Sequence, residues 1–427
     1  MNPTLTRPQP QERIAQAIAN LEAWLETLRQ PGGYGGPVCH WWQNRLRYTG
    51  PGHDWRYEGI LIGYLILWQK TGEARYRQRL NQAAGDLLDG QLPDGGYSAS
   101  RFELNPGRLG TPHEAAATLG LLLSLPGLDN PERVLASARR NLDYLIAQLY
   151  LPGENAYRDR VPNKLATLAQ ALLTYAEGSG QKRYLDYAKV ALEQALGYQV
   201  RQGPLAGAIH QYGPTATRGD GRFFPYYQSR CIPPLVEGAR VLGEPRYLEA
   251  ARQILGFIER TREPDGGWPM ILYQGGGRVE RPRWIAANAD VLLAYRALGE
   301  PPPEAALHRL LEAQLKSGGF PTAEGFGGDQ PTPHDLIPVA GWNDKVFRLL
   351  AELLPKPALK PQGRPGTPAL PAPQVGLTEV QVRVADTPAW LCENHQALVI
   401  QTRSEVLYAW RKGEPWARVV HPLLDVR

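Results

Sequence analysis

Gly72-Glu-Ala-Arg-Tyr76, Gly180-Gln-Lys-Arg-Tyr184 and Gly243-Glu-Pro-Arg-Tyr247 decide the fold. Each stands at the end of one apolar run and opens another, as a glycine C-cap followed by a helix restart does. Gly127 in Ser124-Leu-Pro-Gly127 and Gly299 in Ala297-Leu-Gly299 extend the series, which recurs about every 57 residues. Six such units fill residues 11–355. Each has room for two helices. The first helices, at 12–28, 75–88, 131–149, 183–196, 246–260 and 303–315, are amphipathic and charged on one side. Their partners, at 55–69, 111–123, 161–176, 225–242, 284–298 and 335–354, are apolar on most faces, as in Glu58-Gly-Ile-Leu-Ile-Gly-Tyr-Leu-Ile-Leu-Trp68. A helix of that second kind is buried. Outer and inner helices in alternation, six of each, give an all-α fold, a closed (α/α)6 toroid. An open superhelix of helix pairs is the competing arrangement. Closure is favoured because the long connections fall only between an outer helix and the inner helix after it.

Three of those connections carry related strings: Gln91-Leu-Pro-Asp94-Gly95-Gly96-Tyr97, Glu263-Pro-Asp265-Gly266-Gly267-Trp268 and Lys316-Ser-Gly318-Gly319-Phe320. On these strings the chain resembles the α/α-toroid proteins, in which Q-x-x-D-G-G-aromatic repeats join helix ends. That group includes six-hairpin glycosidases, polysaccharide lyases, sugar epimerases, terpenoid cyclases and prenyltransferases. The resemblance implies the fold and leaves the reaction open. Read as residues, the strings are tight glycine turns with an aromatic plug.

Composition agrees with a repeat protein and excludes other classes. Glycine (45) and proline (39) punctuate a chain of 427 residues that is still 43% hydrophobic, too apolar for wholesale disorder. No apolar run reaches membrane-spanning length. The net charge of +5 comes from scattered basic residues, so no nucleic-acid partner is expected. Cys39, Cys231 and Cys392 are far apart and odd in number, which argues against a disulfide framework. The N-terminal segment lacks a signal-type apolar core, so a cytoplasmic location is expected. Residues 356–374 form a proline-rich linker or strap. The remaining 375–427 hold four short alternating runs, at 378–384, 397–403, 405–412 and 417–424, which read as a small β-rich appendage packed on the toroid.

In a toroid the inner-helix starts and the loops before them surround one mouth of the ring. Here every such start is polar and aromatic: His40-Trp41-Trp42 with His53-Asp54-Trp55-Arg56-Tyr57-Glu58, then Thr111-Pro-His113-Glu114, then Asn163-Lys164. Tyr226-Tyr227-Gln-Ser-Arg230, Trp284 with Asn288 and Asp290, and Trp342-Asn343-Asp344 complete the set. Glycosidic cleavage needs one carboxyl that holds a proton and one that is ionised. Asp54 and Asp290 are the leading candidates, with Glu58, Glu114 and Asp344 in reserve, which makes a glycoside hydrolase the expected activity. His40, Trp41, Trp42, Trp55, Trp284 and Trp342 are placed to meet sugar rings, with Asn288 and Asn343 beside them. The bland alternative makes Asp54 an N-cap and puts Glu58 in a salt bridge with Arg56 or another arginine.

A second chemistry is proton abstraction next to a uronate carboxylate, in a lyase or epimerase. His113 or Tyr227 would serve as base, and Arg230, Lys164 and Asn163 would hold the carboxylate, with Tyr226 on the same face as Arg230. Otherwise His113 is a polar helix start and Arg230 a bridge between hairpins. A terpenoid-type toroid is disfavoured by the lack of D-x-D-D, for which Asn288-Ala-Asp290-Val is no substitute. A non-catalytic toroid binding a glycan, lipid or protein is the remaining alternative. Cys39-His40 is too little for zinc, and Gly275-Gly-Gly277 lacks a P-loop lysine, so neither metal nor cofactor is expected. The partner expected is a carbohydrate, with acidic ones included.

Overall fold

The computed structural model describes residues 10–39, 46–49, 51–97, 111–215, 218–325, 338–356, 390–393, 397–401 and 406–411. The outer helices are α1 (Pro10–Thr27), α3 (Ala74–Asp89), α5 (Pro131–Leu149), α7 (Arg183–Leu196), α10 (Pro245–Arg260) and α12 (Glu304–Glu312). The inner ones are α2 (Arg56–Thr71), α4 (Ala115–Leu123), α6 (Pro162–Ser179), the pair α8 (Pro225–Ser229) and α9 (Ile232–Val241), α11 (Asn288–Ala297) and α13 (Ala340–Leu353). Outer helices bury one stripe, such as Tyr76, Leu80, Ala83, Ala84 and Leu87 of α3. Inner helices are buried on most sides, as α2 is from Arg56 through Leu65.

The inner helices touch in the cycle α2, α4, α6, α9, α11, α13 and back to α2. That last contact closes the ring, and α1 packs against both α12 and α13 to close the outer layer. The chain is therefore an (α/α)6 toroid and not an open superhelix.

The glycine-rich strings bind the outer layer. Gln91 Nε2 donates to the Gly95 carbonyl (3.1 Å) and to that of Ser137 on α5 (2.9 Å). Gln314 repeats this with Gly318 and with Ala17 of α1, both at 2.8 Å. Gly318 has φ 98°, and a methyl group there would run into the Asn20 carbonyl of α1. Both the left-handed backbone and the close approach therefore require glycine. The plugs Tyr97, Trp268 and Phe320 are buried, and each string clasps the next outer helix. Gly72 and Gly180 cap α2 and α6 in the left-handed conformation, as the restart motif demands. Gly127 differs. It lies in a 3-10 turn, and a Cβ there would come within 2.6 Å of Leu80 and 2.8 Å of Leu65, so space selects it.

Four inner helices depart from the expected spans. In the run 335–354 the described residues become helical only at Ala340, after Pro338 bridges Pro321. The run 225–242 is broken at Arg230-Cys231, because Pro233 and Pro234 cannot donate to the carbonyls of the preceding turn. The run 111–123 opens with a 3-10 turn over Pro112–Glu114. The run 284–298 becomes helical only at Asn288, because Arg283–Trp284 pairs as a short strand with Ala323–Glu324. Near the C-terminus Trp390–Glu393, Ala397–Gln401 and Val406–Arg411 form a three-stranded antiparallel sheet. The last two match the expected runs at 397–403 and 405–412. Trp390–Glu393 falls outside all four expected runs, and the runs 378–384 and 417–424 lie outside the described residues. No helix among the described residues is long and apolar enough to cross a membrane.

Candidate active site

At the ring centre, three carboxylates from three inner helices meet three cations. Glu58 of α2 is 1% exposed, and its Oε2 lies 2.7 Å from Arg230 Nη2 and 3.0 Å from Lys345 Nζ. Arg348 reaches its other oxygen at 3.5 Å. Arg230, in the break between α8 and α9, also donates from Nη1 to Asp290 Oδ1 at 3.2 Å. Lys345 donates to Asp344 Oδ2 at 2.7 Å, and the Gly59 amide donates to the same oxygen at 3.1 Å. From the helix break Arg230 thus sets its guanidinium between α2 and α11.

Burial raises both Glu58 and Asp344, but their neighbours leave the two shifted in opposite directions. Burial works against ionised Glu58, but Arg230 and Lys345 outweigh it and hold the carboxyl well below the usual range. Asp344 has one cation and two carboxylate neighbours. Burial pushes it up to about 7, against the pull of Lys345 and with help from Glu58 and Asp290. Two carboxyls a few ångströms apart are therefore one ionised and one able to hold a proton near neutrality.

An aromatic cluster adjoins the charges. Trp342 lies at ring-centroid distances of 5.1 Å from Trp55, 5.3 Å from Tyr226 and 5.6 Å from Trp284. Tyr227 stacks on Tyr226 at 4.7 Å, and His113 lies 5.8 Å from Trp55. Lys345 Nζ sits 5.9 Å from the centre of the Trp55 ring, which joins the cluster to the ion network. Four buried polar atoms here have no hydrogen-bond partner among the described residues: Trp55 Nε1, Trp284 Nε1, Asp290 Oδ2 and Asp344 Oδ1.

Several of the remaining predicted residues are engaged elsewhere. Both oxygens of Asp54 accept from the Arg56 guanidinium, at 2.8 and 2.9 Å, so the leading candidate is held by its own helix start. Glu114 closes a capping box with Thr111. Asn343 clamps the backbone of Phe320 through both amide atoms, and Asn288 donates to the Trp284 carbonyl. Asn163 is buried and Lys164 half-buried at the start of α6. His40, Trp41 and Trp42 lie outside the described residues. From sequence Lys345 is only the last residue of the inner-helix start Gly341-Trp342-Asn343-Asp344-Lys345, with no role assigned, and Arg348 is not singled out. Their signal was charge on an otherwise apolar inner helix, with Asp344 and Arg348 four residues apart on one face. Among the described residues no group of three or more His, Cys, Asp or Glu is placed to hold a metal.

No family model matches the chain, and no curated protein sequence does. Solved structures are similar in fold. A sugar epimerase from a ruminal bacterium aligns with a TM-score of 0.61 at 15% identity, covering 81% of this chain and 99% of that one. A D-mannose isomerase aligns with a TM-score of 0.61 at 14% identity, covering 82% and 100%. An unsaturated glucuronyl hydrolase specific for heparin aligns with a TM-score of 0.56 at 12% identity, covering 80% and 97%. At such identities the likeness extends to the fold alone.

Proposed function

We propose that this chain is a carbohydrate-active enzyme, a glycoside hydrolase working through carboxylates at the ring centre. The observation that carries this reading is the convergence of Glu58, Asp290 and Asp344 beside an aromatic cluster, with Asp344 and Glu58 driven to opposite protonation states. Glu58 Oε1 and Asp290 Oδ1 both accept from Arg230 Nη1, at 3.1 and 3.2 Å. That shared donor holds Glu58 beside Asp290, and Lys345, donating to Glu58 at 3.0 Å and to Asp344 at 2.7 Å, brings the proton-holding carboxyl into the same cluster. Asp344 would give its proton to the glycosidic oxygen as the C–O bond breaks. Asp290, with one oxygen unpartnered, would take a proton from the water that attacks the anomeric carbon. Glu58 is too weak a base in this setting and acts by positioning Arg230 and Lys345.

The uronate lyase reading is weakened by the same geometry. Arg230, the cation it relies on, is occupied by two of the protein's own carboxylates. The test is incubation of the full chain with a glycan panel, scoring new reducing ends and the ultraviolet absorbance of unsaturated products. New reducing ends are expected, without that absorbance. Asp290→Asn and Asp344→Asn should each reduce turnover about 100-fold or more while circular dichroism stays unchanged. Unsaturated products, or full activity in both variants, would remove the proposal.

A further inference from the structure

The ring centre can also be asked which sugar it would accept. Every cation in its ion network already has a carboxylate: Arg230 has Glu58 and Asp290, Lys345 has Glu58 and Asp344, and Arg348 has Glu58 and Glu352. Of the two cations predicted for the site, only Lys164 stands outside this network. A uronate seeking Arg230 or Lys345 would have to displace Glu58 or Asp290 and leave that carboxylate buried and unpaired, which is costly. The atoms that do lack partners are of another kind. Trp55 Nε1 and Trp284 Nε1 are donors, Asp290 Oδ2 is an acceptor, and Asp344 Oδ1 is the open oxygen of the carboxyl that holds a proton; all four belong to residues less than one-tenth exposed.

We infer that the ring centre takes an uncharged glycosyl ring, whose hydroxyl groups meet the two indole N–H groups, the unpartnered Asp290 oxygen and the open side of the Asp344 carboxyl. A hydroxyl can accept from an indole and donate to a carboxylate at once. A substrate carboxylate could use the indoles, but it would face Asp290 Oδ2 as a like charge. This inference rests on the carbohydrate reading above and narrows it to neutral sugars. The fold neighbours do not decide the matter, since their names include both mannose and glucuronyl activities.

The experiment is titration of the full chain with neutral disaccharides and with matched uronic acid-containing ones, followed by tryptophan fluorescence and calorimetry. At least one neutral sugar should bind saturably, and its uronate counterpart about tenfold more weakly or less tightly still. Trp284→Phe keeps an aromatic ring and removes the N–H, so affinity for the neutral sugar should fall about fivefold. Trp55→Phe provides the same measurement if the first variant is poorly folded. Equal or tighter uronate binding, absence of neutral-sugar binding, or unchanged affinity in well-folded variants overturns the inference. Neutral-sugar binding without turnover would remove hydrolysis and leave the substrate class standing. Cleavage of a uronide with no neutral-sugar binding would do the reverse.

Discussion

The ring centre and the outer belt are built from the same pairs of groups, arginine with aspartate or glutamate, in opposite surroundings. In the belt, Arg75, Arg183 and Arg246 each lie over the tyrosine that follows and reach a carboxylate on the preceding outer helix, Glu22, Asp143 or Glu193. About half of each of these arginine side chains is exposed. At the centre the Arg230 side chain is 9% exposed and that of Glu58 is 2%. Solvent can replace a belt partner that is lost. At the centre nothing but another protein group can, so the network is costly to break and its members hold unusual protonation states.

The largest expected effect follows from that difference. Arg230→Met removes a central cation while keeping bulk, and it strips Asp290 of its ion-pair partner. Loss of about 3–5 kcal/mol is expected, as for other buried pairs broken on one side. Urea unfolding followed by circular dichroism would measure it. A loss no larger than that of a belt variant would show that the centre is better hydrated than its burial indicates, and the contrast would fail.

How much of this contrast was legible in the sequence depends on distance along the chain. The recurring glycine stops, three of them Gly-x-x-Arg-Tyr, and their spacing of about 57 residues located all six hairpins, because caps and restarts are set by residues within a few positions of one another. The aromatic and polar inner-helix starts were legible for the same reason. The choice among the carboxylates was not. Asp54 looked like the leading acid, yet Arg56, two residues away, occupies both its oxygens. Glu58 and Arg230 lie 172 positions apart, and no local pattern announces that they touch. Pro233-Pro234 was a readable break signal inside the expected helix 225–242, and it is from that break that Arg230 bridges α2 and α11. Lys345 stood next to a residue already singled out, but only the closed ring shows that its ammonium lies between Asp344 and Glu58.

Acidity sets Asp344 apart by sign from Glu58 beside it and from carboxylates such as Glu177 and Glu244 farther out. Asp344 has an ordinary value of 3.8 and is raised to about 7 in the folded chain by burial, so between these values the native state holds a proton that the unfolded state has released. Stability from this group therefore falls as pH rises through that window and levels off above it. Carboxylates away from the centre, such as Glu177 and Glu244, are lowered by their hydrogen bonds to Arg240 and Lys189, and Glu58 is lowered by Arg230 and Lys345. Their contributions are present above the ordinary glutamate value and are lost as pH falls below it. Wild type should thus be less stable at pH 7 than Asp344→Asn relative to the same comparison at pH 4. Urea midpoints for both proteins across that range would show it, and parallel profiles would rule out a protonated Asp344.

The smallest effect belongs to the belt. Arg246 Nη1 donates to Glu193 Oε2 at 2.9 Å, and its guanidinium lies 4.9 Å from the Tyr247 ring, but the side chain is 54% exposed. Arg246→Met keeps an apolar stem over the tyrosine and removes only the charge, so the expected cost is under about 1 kcal/mol. The cost should shrink further in high salt, where solvent ions screen an exposed pair. Arg75 and Arg183 occupy the same place in other hairpins and share no partner with Arg246, so replacing all three with methionine should give a loss close to the sum of the single losses. A triple variant much less stable than that sum would mean the belt is held as one cooperative hoop. The division between a replaceable belt and an irreplaceable centre would then have to be redrawn around the whole ring.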